Sequence, residues 1–290
     1  NDFEEADEPG TAFIPEVPVL TAKKAILVVD DDNEIRNYVA SVLGRNYLVY
    51  TASNGEEGLQ MVRDKKPELI ISDITMPEMD GIELCKAIKT DQNTNHLAVI
   101  LLTAHTSQEV ELKGTEEGAD YYITKPFSKD LLLARVNSIF KSRANLQQYF
   151  YDQVTLKKAA ATAEEQKVPA EYQELLDKCI VIVEKHLDDN SFNIEMLARE
   201  MGVSHSYLYK RIKLISGQSV NSFIRFLRLR KAAEFLITTN DTVTQVAYAV
   251  GFSDVKYFRE QFTRLFKMKP TEYIKQYRGK MTDNLRIDNQ

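Results

Sequence analysis

Apolar and polar positions follow different patterns in the two halves of this 290-residue chain. From Lys23 to Lys141, short apolar runs alternate with segments whose apolar residues recur at helical spacing. The predicted strands cover residues 25–29, 47–50, 69–71, 97–102 and 121–123, and the predicted helices cover 34–43, 56–62, 82–88, 108–116 and 129–140. Five strands, each followed by a helix, predict a doubly wound α/β domain with a parallel sheet.

The strand pattern ends near Phe140. Residues 142–170 are polar and Ala-rich, which predicts a helical connector that buries little. Residues 171–280 have helical spacing throughout and predict an all-α domain, while residues 1–22 and 281–290 are interpreted as a linker and a tail. Because the chain begins with Asn1 rather than Met, we interpret it as a segment of a longer protein.

Polar residues stand at the ends of the predicted strands in the first half. Asp30 and Asp31 follow the first strand, Asp73 the third, Thr103 the fourth and Lys125 the fifth. Ligand sites of parallel sheets lie outside the carboxyl ends of the strands, so these side chains are expected in one pocket. A lone Asp at a strand end is usually a helix cap. Three Asp, one Thr and one Lys at strand ends in this order instead favour a shared site.

Clustered carboxylates repel each other unless a cation holds them, and hard oxygen ligands suit Mg²⁺. Mg²⁺ keeps positions open for phosphate oxygens, which indicates phosphoryl transfer with Asp73 as the nucleophile. Lys125 and the Thr103 hydroxyl are expected to bind the other phosphoryl oxygens. The expected metal ligands are Asp30, Asp31, Asp73 and the carbonyl of Thr75.

On these residues, together with Asp73 in an Asp-x-x-Met-Pro motif and Lys125-Pro126, residues 23–140 resemble a response-regulator receiver domain. The resemblance implies phosphotransfer from a histidine kinase and slow self-catalysed hydrolysis, without an independent enzymatic activity. It also implies that Thr103 is the switch hydroxyl and Tyr122 the switch aromatic residue.

An internal duplication marks the second half. Residues 197–204 (LAREMGVS) recur as residues 246–253 (VAYAVGFS), an offset of 49, and residues 207–224 recur at an offset of 50. Each copy has a short helix, a turn with Gly, an expected Ser N-cap and a longer helix, which is the pattern of a helix-turn-helix unit.

Helical geometry divides the longer helix of each copy into an apolar and a polar face. A single such helix is more often an ordinary amphipathic helix, but two copies in a basic region favour DNA contact. A helix of roughly 19 residues between the copies spans about 28 Å at ~1.5 Å per residue. That length suits two recognition helices about one DNA turn apart.

Residues 172–280 resemble the AraC-type DNA-binding domain, through Gly251-Phe252-Ser253, Tyr257-Phe258 and the stretch FKMKPTEY at 266–273. The outward Glu260 departs from the basic residue expected for DNA contact, and no role is assigned to it. The candidate DNA contacts are Ser206, Tyr209, Lys210, Lys213, Lys256 and Arg259.

Charge supports this division of roles. The whole chain carries −6, but residues 204–280 contain 15 Lys and Arg against 5 Asp and Glu, a net charge of +10. A basic second half suits a polyanion such as double-stranded DNA. No apolar run reaches a membrane span and no signal peptide is visible, which together with two distant cysteines predicts a cytoplasmic, reduced protein.

The combination of domains is similar to the end of hybrid two-component regulators, in which a sensor and a histidine kinase precede the receiver. A homodimer of phosphorylated receivers is expected, and release of an inhibitory contact between the receiver and the DNA-binding domain of one chain is the competing mechanism of activation. A transcription factor of this kind would also meet RNA polymerase. The alternatives are a kinase or phosphorelay fragment and a receiver-based adaptor that does not act on DNA. Against the first, the sequence shows no Gly-rich ATP loop and no histidine in a phosphoacceptor setting, and His186 beside Glu184 and Asp188 is interpreted as an ordinary surface or partly buried histidine.

Overall fold

A parallel sheet forms the centre of the N-terminal half in the computed structural model, which describes residues 23–104, 119–156 and 168–287. Its strands lie in the order β2-β1-β3-β4-β5, and every neighbouring pair is parallel. The chain runs outward in opposite directions from β1, so a switch point lies between β1 and β3. The strands are β1 (Ala25–Val29), β2 (Leu48–Ala52), β3 (Leu69–Asp73), β4 (Ala98–Thr103) and β5 (Tyr121–Thr124).

Helices cover both faces of this sheet, because alternate strand residues point to opposite sides and both sets are apolar. Val28 and Ile71 pack on one face and Val29 and Ile70 on the other. The doubly wound α/β fold is therefore confirmed, and the predicted helix at 108–116 lies outside the described residues. The covering helices are α1 (Asn33–Leu43), α2 (Gly55–Lys65), α3 (Gly81–Thr90) and the first half of α4 (Lys129–Val154).

Helix α4 joins the two halves of the molecule without a break. Ser128 caps its start, and it continues beyond residue 141 for more than three further turns. Leu146, Phe150 and Val154 are buried, and the last two belong to the core of the helical half. The expectation that this part of the connector buries little is wrong, because its apolar residues fall on one helical stripe that the second half covers.

The second half is entirely helical over the described residues 168–287, as predicted. Phe223 and Ala232 of its longest helix, α8, are fully buried in a shared core. The predicted 19-residue linking helix is observed, and the last helix extends into the predicted tail. The helices are α5 (Ala170–Lys185), α6 (Ile194–Met201), α7 (His205–Ser216), α8 (Val220–Thr238), α9 (Val243–Ala249), α10 (Val255–Phe266) and α11 (Pro270–Ile287).

Arg143 of α4 ties this helix to the sheet. Its guanidinium donates to the carbonyl of Glu68 at 2.8 Å and to the carbonyl of His96 at 2.7 Å. These carbonyls precede β3 and β4, so Arg143 lies at the amino ends of the strands. Among the described helices, none combines the length and the apolar composition needed to cross a membrane.

Candidate functional site

Three carboxylates meet at the carboxyl end of the sheet. Asp30 follows β1, Asp31 comes next, and Asp73 is the last residue of β3. One carboxylate oxygen from each lies within 4.8 Å of the other two, and a metal ion could occupy the space between them. Asp30 is fully buried and Asp73 is 9% exposed, whereas Asp31 is exposed and leaves the cluster open on one side.

The ammonium of Lys125 enters the same cluster. Its Nζ lies 2.8 Å from Oδ1 of Asp73 and 3.0 Å from Oδ2 of Asp30. Lys125 follows β5, and its backbone N–H donates to the carbonyl of Thr103 at 2.7 Å. The peptide bond between Lys125 and Pro126 is cis.

Burial and charge act against each other on these groups. Burial raises the pKa of Asp30 above its ordinary value, and the hydrogen bond and charge of Lys125 only partly reverse that rise. Burial alone would lower the pKa of Lys125, but hydrogen bonds and charges from Asp73 and Asp30 outweigh it and raise that pKa. The ammonium is therefore protonated, and a cation beside Asp30 would favour its ionised form.

The other candidate residues of this pocket lie nearby along the strands. Thr103 ends β4, is 3% exposed, and pairs with Thr124 across the sheet. Thr75 lies in the exposed loop two residues after Asp73. Tyr122 lies on β5 opposite Leu101 and packs against the face that carries Val29.

Several supporting residues were not predicted from the sequence. Asp32 caps α1 by accepting from the backbone N–H groups of Glu34 and Ile35, and its own N–H donates to Asp30. Arg36 donates to the carbonyl of Asp30. Gly81 approaches Asp73 so closely that a Cβ would lie 2.0 Å from its carbonyl oxygen. The Asp-Gly pair at 80–81 was the available signal for this close approach.

The duplication in the second half is also a duplication of geometry. Gly202 and Gly251 end the first helix of each copy with φ of 68° and 80°. Val203 donates to the carbonyl of Ala198 at 3.1 Å, and Phe252 makes the equivalent bond at 3.0 Å. The left-handed glycine is what lets each helix end in this tight turn.

The caps of the second helices differ between the copies. Ser204 caps α7 as expected, with its hydroxyl accepting from the N–H of Tyr207. In the second copy the expected Ser253 is not the cap; Asp254 accepts from the N–H groups of Lys256 and Tyr257. The one-residue insertion moves the helix start, so α7 and α10 begin 50 residues apart.

The two candidate DNA-reading helices have different surroundings. In α10, Lys256, Arg259 and Glu260 are exposed. In α7 every candidate contact is partly covered, and burial followed by the charge of Lys89 lowers the pKa of Lys210. The covered residues of α7 are Ser206, Tyr209, Lys210 and Lys213.

His186 lies at the end of α5, away from the sheet. Its Nε2 lies 2.5 Å from Oε1 of Glu200, and its ring stacks on Phe192 with centroids 4.5 Å apart. These contacts give His186 a packing role between α5 and α6.

Comparisons with known proteins agree with this division. Residues 26–137 match the family described as response regulator receiver domain, and residues 197–276 match a helix-turn-helix domain. "Histidine kinase P4" of Formosa agariphila is 35% identical over 88% of this chain, which spans only 18% of that protein's length.

Two further matches concern the first half. The "Alkaline phosphatase synthesis transcriptional regulatory protein PhoP" of Bacillus subtilis is 42% identical over 41% of this chain and 49% of its own length. The chemotaxis response regulator CheY4 of Vibrio cholerae is 33% identical over 40% of this chain and 98% of its own, with a TM-score of 0.39. From the family matches and the two site geometries, the chain carries a response regulator receiver domain followed by an AraC-type helix-turn-helix domain.

Proposed function

We propose that this segment is the output end of a two-component system, a DNA-binding transcription regulator controlled by phosphorylation of Asp73. The observation that carries this proposal is the meeting of Asp30, Asp73 and Lys125 at the sheet edge of a chain with two helix-turn-helix units. We therefore propose that this segment acts as a regulator rather than as a free-standing enzyme.

In the proposed phosphotransfer, a carboxylate oxygen of Asp73 attacks the phosphorus of a phosphohistidine on the donor kinase. The new P–O bond replaces the P–N bond, and the departing imidazole nitrogen keeps the electron pair and takes a proton from solvent. Lys125 already lies 2.8 Å from Asp73, so its ammonium can follow the charge onto a phosphoryl oxygen. Thr103 is proposed to donate its hydroxyl to a second phosphoryl oxygen.

The carboxylate cluster fits Mg²⁺, because oxygen donors from Asp30, Asp31 and Asp73 converge and the exposed side stays open. We propose the Thr75 carbonyl as the fourth protein ligand. When bound, the ion would neutralise charge on the transferring phosphoryl group. The close approach of Gly81 to the backbone of Asp73 would help to fix the position of the end of β3.

On the DNA side, Lys256 and Arg259 are proposed to contact one major groove, and the polar face of α7 the next. Helix α8 separates the units by 19 residues, or about 28 Å at ~1.5 Å per residue. Lys210, Lys213, Ser206 and Tyr209 would supply the contacts of the first unit.

We infer that the phosphodonor kinase precedes the receiver in the same full-length protein. The support is the similarity over 88% of this chain to a much longer protein whose name is histidine kinase. We propose a cytoplasmic location for both domains. RNA polymerase is a proposed further partner.

A homodimer of phosphorylated receivers is proposed as a second consequence of phosphorylation, since closed symmetric dimers are the commonest assembly. Two chains would bring four units to one operator and raise their effective concentration. Sedimentation with and without beryllofluoride, a stable mimic of the aspartyl phosphate, tests this. A monomer in both conditions would contradict the dimer.

The proposed function is tested by labelling with radioactive acetyl phosphate in the presence of Mg²⁺. Asp73→Asn is expected to lose all label, and Asp64→Asn on the exposed end of α2 is the matched control. In parallel, the wild-type protein should enrich specific duplexes from a random library. Label that persists in Asp73→Asn, or failure to enrich any duplex, contradicts the corresponding half of the proposal.

A further inference from the structure

The polar face of α7 is covered by the receiver domain. Nδ2 of Asn95 donates to Oγ of Ser206 at 3.3 Å, and Asn95 is only 2% exposed. Asn95 lies in the short segment between α3 and β4, at the amino end of the sheet. One candidate DNA contact is thus a direct partner of the receiver.

The same contact includes the next turns of α7. Tyr209 and Lys213 line one side of a cavity of about 660 Å³, with Asp91, Asn93 and His96 on the receiver side. Lys210 is partly buried beside Lys89 and Asp120. All four candidate DNA contacts of α7 therefore face the receiver or the cavity at its edge.

From this geometry we propose that the receiver masks the first helix-turn-helix unit, leaving the second as the only unit ready for DNA. This masking rests on the proposed DNA-binding function and describes how the receiver would inhibit DNA binding. The receiver surface responsible is formed by the end of α3 and the segment leading into β4, which we call the docking surface (residues 91–97).

The contact has the properties of one that can be released. Lys210 lies near Lys89, whose Nζ is paired with Asp120 at 2.6 Å. Lys213 lies near His96, a neutral ring whose pKa is lowered to about 3, first by burial and then by the charge of Lys213. Oδ1 of Asn95 has no hydrogen-bond partner among the described residues. A buried acceptor without a partner costs free energy, so a polyanion can compete for α7.

A rigid connection holds α7 in this position. Phe150 of α4 stacks on Phe223 with centroids 5.2 Å apart, and Gln218 donates to the hydroxyl of Tyr151 at 3.0 Å. Unmasking therefore requires α4 to move relative to the sheet, where Arg143 holds the carbonyls of Glu68 and His96. These carbonyls precede β3 and β4, the strands that end in Asp73 and Thr103, so the two sites share the same strands.

The test uses a reversible tether across the cavity. In the double variant Asn93→Cys, Lys213→Cys, a bismaleimide with a disulfide spacer should join the two sites, while the native Cys85 and Cys179 are buried. The control is Lys213→Cys alone, treated identically. The probe is a duplex of roughly 40 base pairs, long enough for two adjacent grooves, selected from a random library with beryllofluoride-treated wild-type protein.

The tethered protein is expected to bind this duplex at least about tenfold more weakly than the control and to protect only one groove, because the second unit acts alone. Cleaving the spacer with dithiothreitol should restore the control's affinity and footprint. Unchanged affinity in the tethered protein, or failure of the pair to tether, would overturn the masking while leaving the proposed function intact. A wild-type protein that enriches no duplex would overturn both.

A second variant works from the receiver side and leaves every proposed DNA contact unchanged. Asn93→Arg adds a cation opposite Lys213 at an exposed position and should raise DNA affinity without phosphorylation by several-fold. Asn46→Arg makes the same change at an exposed position after α1. Equal affinity of both variants would contradict the masking, provided that acetyl phosphate labels both to the wild-type level.

Discussion

Lys125 bridges two carboxylates: its Nζ lies 2.8 Å from Asp73 and 3.0 Å from Asp30. These residues come from the ends of three different strands, so the ammonium joins β1, β3 and β5 at the edge of the sheet. The positive charge of Lys125 therefore balances the carboxylates of this pocket and also lies next to Asp73, the proposed phosphoacceptor.

Lys125→Met should slow labelling by acetyl phosphate roughly ten- to a hundredfold. A charge-assisted hydrogen bond contributes about 1.5–3 kcal/mol, and each ~1.4 kcal/mol is tenfold in rate. The measurement is the initial labelling rate at saturating Mg²⁺. Lys129→Met, at an exposed position in the first turn of α4, is the control. Equal rates for the two variants would remove Lys125 from the reaction.

Asp30→Asn should increase the free energy of unfolding at neutral pH without Mg²⁺. Burial raises the pKa of Asp30 in the folded protein, so its ionisation destabilises the fold as pH rises through that value. The gain should vanish below the ordinary carboxyl pKa of 3.8, where Asp30 is protonated in both states. Urea unfolding across pH measures this, and a gain that persists at the acid end would refute it.

Arg259→Ala should weaken DNA binding by the unphosphorylated protein more than Lys210→Ala does. Arg259 is exposed on α10, whereas Lys210 is partly covered by the receiver. A lost base contact costs about 1–3 kcal/mol, and a lost phosphate contact lowers the salt slope by about one. Titration at several salt concentrations separates the two, with Arg45→Ala as the receiver control. A larger loss for Lys210→Ala would contradict the difference in exposure.

Phe150→Ala should destabilise the helical half by about 3–5 kcal/mol, because a fully buried aromatic side chain would leave a cavity. Chemical denaturation gives the measurement. Lys141→Ala, at an exposed position of the same helix, should change stability by less than about 0.5 kcal/mol. If Phe150→Ala were equally harmless, the second half of α4 would not belong to that core.

The local patterns of the sequence were enough for much of the structure. Short apolar runs located all five strands. The signal is clearest for β1, β3 and β4, because strands buried on both faces need nearly continuous apolar residues. Convergence of Asp30, Asp73 and Lys125 followed from their places after β1, β3 and β5. The repeat around Gly202 and Gly251 located both helix-turn-helix units, because the same turn needs the same left-handed residue.

Some predicted helix ends and caps were wrong because they depend on tertiary packing. The helix beginning at Lys129 continues to Val154 because the helical core covers Phe150, which its periodicity alone could not show. The cap at Asp254 rather than Ser253 depends on where the inserted residue is accommodated. The predicted helix at 108–116 lies outside the described residues.

The sequence by itself determined the two domain types, the order of strands and helices, and the candidate residues of each site, because periodicity, strand ends and internal repeats are local or one-dimensional signals. Only the tertiary structure decided that Ser206 faces Asn95 rather than solvent. That contact joins residues 111 positions apart and depends on how the whole of α4 packs between the domains. The exposure of a polar helix face is therefore a property of the assembled chain, because it depends on which distant surface covers that face.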